Sequence, residues 1–279
     1  MIRIGLGCMS LSLEGRPERG KSVRFLKQSY DEGVRFFDTA DCYGLGSVRE
    51  VGHNEKLLAE AFLKGRSRRK GALVATKGGV IFDGQVWRPD GSAKHLKTAC
   101  EASLKRLDCE QIFLYQLHRI DPRVALSESI ETLADFQRRG WVKHLGVSNL
   151  TLEQLKMALR VVPIYSVQNQ FNLFSDATEQ RKILQFCEKR GIIYIAYSLF
   201  GGRSRFDFTA SHSLLNELAN KNRVSVTAII LHWILRQTEN GMVLPGTKNL
   251  SHLKENLVAL DFKLTPAEME KLNPIFLRN

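Results

Sequence analysis

Nothing in these 279 residues is long and apolar enough to cross a bilayer. The opening Met1-Ile-Arg-Ile-Gly lacks the charged head and apolar stretch of a secretory signal, so none is expected. Cysteine is scarce: Cys8, Cys42, Cys100, Cys109 and Cys187 are scattered, odd in number and never spaced as metal ligands. That excludes a disulfide framework, predicts no metal site, and reads as reduced thiols in a cytoplasmic protein. Basic residues interleaved with exposed aromatics are also missing, as is a recognition helix, so nucleic acid is not an expected partner. The glycine-rich turn that opens a doubly wound dinucleotide-binding sheet is reduced to Gly5-Leu-Gly7, with Ser10 where its third glycine belongs. What is present is ordinary for a globular chain, with 43% apolar and 25% charged residues. The net charge is +12, from 41 Lys and Arg against 29 Asp and Glu. Its densest basic run, Lys64 to Lys70, reads as a solvated face, and the general positive field suits an anionic small molecule.

Short apolar strands alternate with amphipathic helices along the whole chain. The expected strands are Ile2–Leu6, Val34–Asp38, Ala72–Thr76, Gln111–Leu117, Val142–Val147, Ile164–Val167, Ile192–Ala196 and Val243-Leu244. Continuous apolar strands of this kind belong to a parallel sheet covered by helices. Eight strand–helix units in this length predict a (β/α)8 TIM barrel, a single domain over residues 1–279. One connection, Phe82–Ser92, holds Trp87 and is long enough to act as a lid.

The strands end in chemistry. Asp38 closes the second, Tyr43 follows on its loop, and Lys77, His118, Ser148-Asn149, Gln168 and Tyr197 close later ones. In a barrel all of these share the carboxyl-end rim, where such folds build sites. A phenol with a pKa near ~10 is a poor acid at neutral pH, and an adjacent ammonium lowers it. Lys77 beside Tyr43 is expected to do so, with Asp38 keeping Lys77 charged and His118 orienting a substrate oxygen. The set suits protonating an oxygen while hydride reaches carbon, and hydride calls for a nicotinamide. Ser148, Asn149 and Gln168 offer carboxamide partners, Tyr197 a flat face, and Pro245-Gly246-Thr247-Lys248 a phosphate cradle before a helix.

The chain resembles the aldo-keto reductases from Gly5 to about Leu272. The resemblance rests on Asp38-Thr-Ala-Asp-Cys-Tyr43-Gly44, Ala75-Thr76-Lys77, Leu114-Tyr-Gln-Leu-His118-Arg-Ile-Asp121, Gly140-Trp-Val-Lys-His-Leu-Gly146-Val-Ser148-Asn149, and Pro245-Gly-Thr-Lys248 with Glu255-Asn256. It implies reduction of a small aldehyde or ketone by NADPH, with NADH the less favoured cofactor. Asp38, Tyr43, Lys77 and His118 would form the catalytic tetrad, Tyr43 donating the proton. Cofactor contacts implied by the same resemblance are Gly7, Cys8, Met9 and Asp38 early in the chain, then Ser148, Asn149 and Gln168. Tyr197, Ser198, Leu199 and Gly202 follow on the next loop. Pro245, Gly246, Thr247, Lys248, His252, Glu255 and Asn256 complete that set. Substrate would meet Met9, Tyr43, Trp87, His118 and Phe200.

Several features depart from the family pattern. The N-terminal hairpin is expected to be shortened or absent, and the long C-terminal tail missing. The loop Gly44–His53 is longer than usual, and His252 stands where many relatives use an arginine for the 2′-phosphate, leaving Lys248 to supply the charge. Two other readings compete: a nucleotide-binding sensor or regulatory subunit with a reductase fold, and a barrel lyase or isomerase using Lys77 as a Schiff base. The tetrad argues against the first, and Asp38 beside Lys77 against the second. His53, His95, His144, His212 and His232 read as structural, and Trp141 and Trp233 as packing. Arg119 is left between an acidic substrate and a surface ion pair.

Overall fold

A computed structural model describes residues 2–65, 69–82, 85–172, 174, 177–202 and 205–276. Its main sheet holds eight strands in parallel: β1 (Leu6–Gly7), β2 (Phe36–Asp38), β3 (Leu73–Gly78), β6 (Ile112–Leu117), β7 (Val142–Ser148), β8 (Ser166–Gln170), β9 (Ile193–Tyr197) and β10 (Gly241–Val243). Parallel bridges Ile4–Val243 and Gly7–Gly246 join the last strand to the first, so the ladder runs all the way round. This is the arrangement of a (β/α)8 barrel. Two apolar layers follow from closure. Phe36, Ala75, Leu114, Ile195, Met242 and Leu244 cluster as one layer. The larger layer, with Leu6, Phe37, Tyr115, Tyr194 and Trp233 among its fully buried members, unites the strands with the surrounding helices. Neighbouring residues Phe36 and Phe37 thus serve different layers, because successive strand side chains face opposite sides.

The first strand is shorter than expected: Gly5 lies so close to Leu244 and Phe36 that a side chain would not fit, and regular pairing begins only at Leu6. The expected lid includes an antiparallel hairpin, β4 (Val80–Phe82) with β5 (Trp87–Pro89), and Trp87 packs on Phe82 with ring centroids 4.9 Å apart. The centre of the basic run Lys64–Lys70, residues 66–68, lies outside the described residues. Helix starts follow capping chemistry. The Ser92 hydroxyl accepts from the His95 amide to open Ala93–Leu107, and Thr151 with Gln154 forms a capping box before Leu152–Val161. No described helix is long and apolar enough to cross a membrane.

Candidate active site

At the carboxyl ends of the strands the side chains of β2 and β3 meet. The Lys77 ammonium donates to Asp38 Oδ2 at 2.6 Å, to the Thr39 carbonyl at 2.8 Å and to the Tyr43 hydroxyl at 3.4 Å. These contacts engage all of its N–H groups. Both members of the ion pair are buried, with side-chain exposures of 1% and 6%. Asp38 is held from its other oxygen by Gln168 at 2.8 Å and Gln116 at 3.4 Å. Such saturation is what keeps a buried charge pair tolerable. The Tyr43 ring meets the His118 imidazole edge-on, with centroids 5.8 Å apart. His118 Nδ1 lies 3.5 Å from Cys42 Sγ, leaving Nε2 as the other ring nitrogen.

The expected lowering of the Tyr43 pKa is not what the geometry produces. Burial and the Asp38 charge push the phenol well above its usual value. Lys77 stands at the long end of hydrogen-bond reach, while its own charge is matched at shorter range by Asp38. Tyr43 therefore rests as the protonated phenol at ordinary pH. Burial, then the charges of Lys77 and Arg119, hold His118 well below the usual histidine range, so it is a neutral imidazole.

The remaining predicted residues surround this centre. Ser148 donates to the Gln168 carbonyl at 2.8 Å, and Asn149 donates to Ser148 Oγ at 3.1 Å and to the His118 carbonyl at 3.0 Å. The Tyr197 hydroxyl donates to Asn149 Oδ1 at 2.6 Å, which fixes a half-buried ring at the rim. Asn149 and Ser198 hold left-handed backbone at φ 62° and 55°. These are uncommon for residues other than glycine and typical of functional turns. Across the rim, Thr247 accepts from the Asn249 amide at 3.1 Å, and the exposed Lys248 donates to the Gly15 carbonyl. His252 and Glu255 are exposed on Leu250–Leu257, and Asn256 is buried. Cys8 and Leu199 are buried, so only their backbones face a ligand. Met9 and Trp87 are exposed, and Phe200 is half-buried against Phe206. A fixed flat ring, an amide cluster and a hydroxyl–ammonium pair at a helix start together match the ring, carboxamide and phosphates of a nicotinamide dinucleotide.

A model of the aldo/keto reductase family matches residues 3–275. The chain belongs to the aldo/keto reductase family. A relative, an uncharacterized oxidoreductase of Schizosaccharomyces pombe, is 34% identical over 277 residues, covering 97% of this chain and 85% of that protein. A thermostable aldo-keto reductase solved with the inhibitor epalrestat superposes with a TM-score of 0.81 at 27% identity, over 98% of this chain and 94% of that one. An aldo-keto reductase from Klebsiella pneumoniae, solved in complex with NADPH, shares the fold with a TM-score of 0.80 at 24% identity, over 99% and 91% of the two chains.

In this aldo/keto reductase the tetrad has a supporting layer that pattern reading missed. Asn54, fully buried, donates to the Cys8 carbonyl at 2.8 Å and to Ser12 Oγ at 2.7 Å, and accepts from Thr39 at 2.6 Å. It ties the loops after β1 and β2 together beneath Tyr43. Glu55, also fully buried, accepts from Thr76 at 2.7 Å and pairs with Arg106. Beside them Asp41 Oδ1 has no partner, and burial together with the Glu55 charge raises its carboxyl to about 8. The longer loop Gly44–His53 is anchored by Arg16 to Glu50 and by Ser12 to His53 Nδ1 at 2.8 Å. Only the pair Asn54-Glu55 at a helix start hinted at this layer. The linear chain gave no sign of its partners Ser12, Thr39, Thr76 and Arg106.

Proposed function

We propose that this protein is a carbonyl reductase that converts an aldehyde or ketone to the alcohol, taking hydride from NADPH and the proton from Tyr43. The observation that carries the reading is the convergence of Lys77, Asp38, Tyr43 and His118 in one dry cluster. Lys77 donates into the phenol oxygen, so the phenol hydrogen is free to point at a substrate oxygen. As negative charge builds on that oxygen, Tyr43 gives up its proton, and the ammonium beside it stabilises the phenolate left behind. Neutral His118 donates a second hydrogen bond to the same oxygen. Asp38, clamped by Gln168 and Gln116, keeps Lys77 fixed and charged. NADPH supplies the hydride when bound. Ser148, Asn149, Gln168 and Tyr197 suit its nicotinamide end, and Thr247 with Lys248 its phosphates. Met9, Trp87 and Phe200 form apolar walls for the substrate. We read residues 1–279 as one domain working in the cytoplasm, in keeping with five free thiols.

Fluorescence titration with NADPH, followed by NADPH oxidation against a panel of aldehydes, tests the reading. Binding with turnover on any aldehyde is expected. Tyr43→Phe should lower kcat by roughly 100-fold or more, as for loss of a general acid, with NADPH affinity nearly unchanged. Binding without turnover across the panel would favour a nucleotide sensor instead. No binding of NADPH or NADH would sink the proposal.

A further inference from the structure

Of the five thiols, Cys42 is the one that meets a tetrad side chain: its Sγ lies 3.5 Å from His118 Nδ1. That separation is within reach of a hydrogen bond made by sulfur. Among the described residues it is the only hydrogen bond that either the thiol or the imidazole ring makes. Cys42 stands on the loop after β2 and is buried with Ala40 and Val80 in a small apolar cluster that Tyr43 closes. That cluster gives the S–H no competing side-chain acceptor. His118 is held by its backbone on both sides. Its amide donates to the Gly78 carbonyl at 2.9 Å, and its carbonyl accepts from Asn149 at 3.0 Å. What the backbone leaves open is which ring nitrogen carries the hydrogen.

Both groups are uncharged at neutral pH. Burial keeps the Cys42 thiol protonated, and burial with the Lys77 and Arg119 charges keeps His118 neutral. A thiol beside a neutral imidazole has two possible arrangements. In one, the Cys42 S–H donates to the Nδ1 lone pair, and the ring hydrogen is on Nε2. In the other, Nδ1–H donates to sulfur, a weak acceptor, and the S–H is stranded in its apolar cluster. The first satisfies every group, and an unsatisfied buried donor is destabilising. The choice also decides the chemistry, because the bond made by one ring nitrogen fixes what the other carries. A carbonyl oxygen only accepts, so Nε2 can orient it only when Nε2 holds the hydrogen.

We propose that Cys42 is a positioning residue: its thiol hydrogen holds His118 Nδ1 as the acceptor, so that Nε2 presents its hydrogen to the substrate oxygen. The inference rests on the reductase reading and adds to it a residue outside the tetrad. The first test is the ring 15N spectrum of His118 in the full chain, with and without NADPH, assigned by its loss in His118→Gln. A hydrogen on Nε2 and a bare, hydrogen-bonded Nδ1 are expected. In Cys42→Val the Nδ1 signal should move and the two tautomers should mix. There kcat/KM for an aldehyde should fall by about fivefold to tenfold, the scale of one weak hydrogen bond, with NADPH affinity unchanged. Cys42→Ser, which restores a donor, should return the wild-type tautomer and recover most of the rate. Packing alone predicts the opposite order, because valine suits an apolar cluster better than serine does. A hydrogen on Nδ1 in the wild type overturns the proposal, and that measurement needs no variant to fold. So does a Cys42→Val enzyme with unchanged tautomer or unchanged rate, or a Cys42→Ser enzyme no better than Cys42→Val. If no carbonyl compound is reduced, the reductase reading fails, and the spectra of wild type and Cys42→Val then decide on their own whether the thiol sets the ring.

Discussion

Asp41, on the loop after β2, is buried with its Oδ1 unpartnered, and its cost to the fold depends on pH. In the unfolded chain it ionises near 3.8, whereas in the fold its carboxyl is raised to about 8. Between those values the unfolded state binds fewer protons than the native state, so stability falls as pH rises from about 4 to about 8. The slope contributed by one such group is at most about 1.4 kcal/mol per pH unit. Asp41→Asn keeps the shape and removes the titration. Its stability relative to wild type, from denaturant unfolding, should therefore climb with pH across that window and level off above it. A difference that stays constant from pH to pH would mean Asp41 ionises normally in the fold. The same physics corrects the expectation for Tyr43. The sequence places Asp38, Lys77 and Tyr43 together, but does not show that the ammonium sits 2.6 Å from Asp38 and only 3.4 Å from the phenol, nor how dry the phenol is. That Asp38, Lys77 and His118 meet around Tyr43 was legible, because these three stand at strand ends and Tyr43 on the loop after one. How they titrate was not, because burial is a property of the closed barrel.

At the scale of elements, the loop Gly44–His53 and the helix after it show what strand patterns leave out. Gly52 holds φ 79°, and a Cβ there would overlap the Arg106 side chain. Arg106 in turn neutralises Glu55, which is fully buried and also accepts from Thr76 of β3, one residue before Lys77. Gly52→Ala would add backbone strain and dislodge the guanidinium from a buried carboxylate. Removing one partner of a buried pair costs about 3–5 kcal/mol, and partial displacement should cost at least about 2 kcal/mol in chemical denaturation. A change within about 0.5 kcal/mol would show that Arg106 swings aside without loss. The parallel strands were readable because burial on both faces forces continuous apolar runs. The hairpin Val80–Phe82 with Trp87–Pro89 was not, since only Val80 is buried and the strands carry no continuous apolar run. Arg119 was left between two explanations because an ion pair with a distant carboxylate is visible only once the chain is folded.

For the whole molecule, the seam where the last strand meets the first matters most to a ligand. Ile4–Val243 and Gly7–Gly246 bridge it, and above it Lys248 reaches back to the Gly15 carbonyl. A dinucleotide held by Met9 at one end and by Thr247 and Lys248 at the other would span residues from both sides of this closure and bind the unfolded chain hardly at all. At a hundred times its Kd it should stabilise the fold by about 2.7 kcal/mol, a rise in melting temperature of roughly 5–10 °C. Lys248 is the test of cofactor preference, because with His252 in place of arginine it is the cation best placed for a 2′-phosphate. To reach one it must release Gly15, which is an exposed contact and easily exchanged. Lys248→Gln should therefore weaken NADPH by about tenfold, close to 1.4 kcal/mol, and shrink its thermal shift by roughly 3 °C. The shift produced by NADH, which lacks that phosphate, should hardly move. Equal losses for both cofactors would place Lys248 at the shared pyrophosphate instead, and no loss for either would leave His252, on the same helix face, to be substituted next.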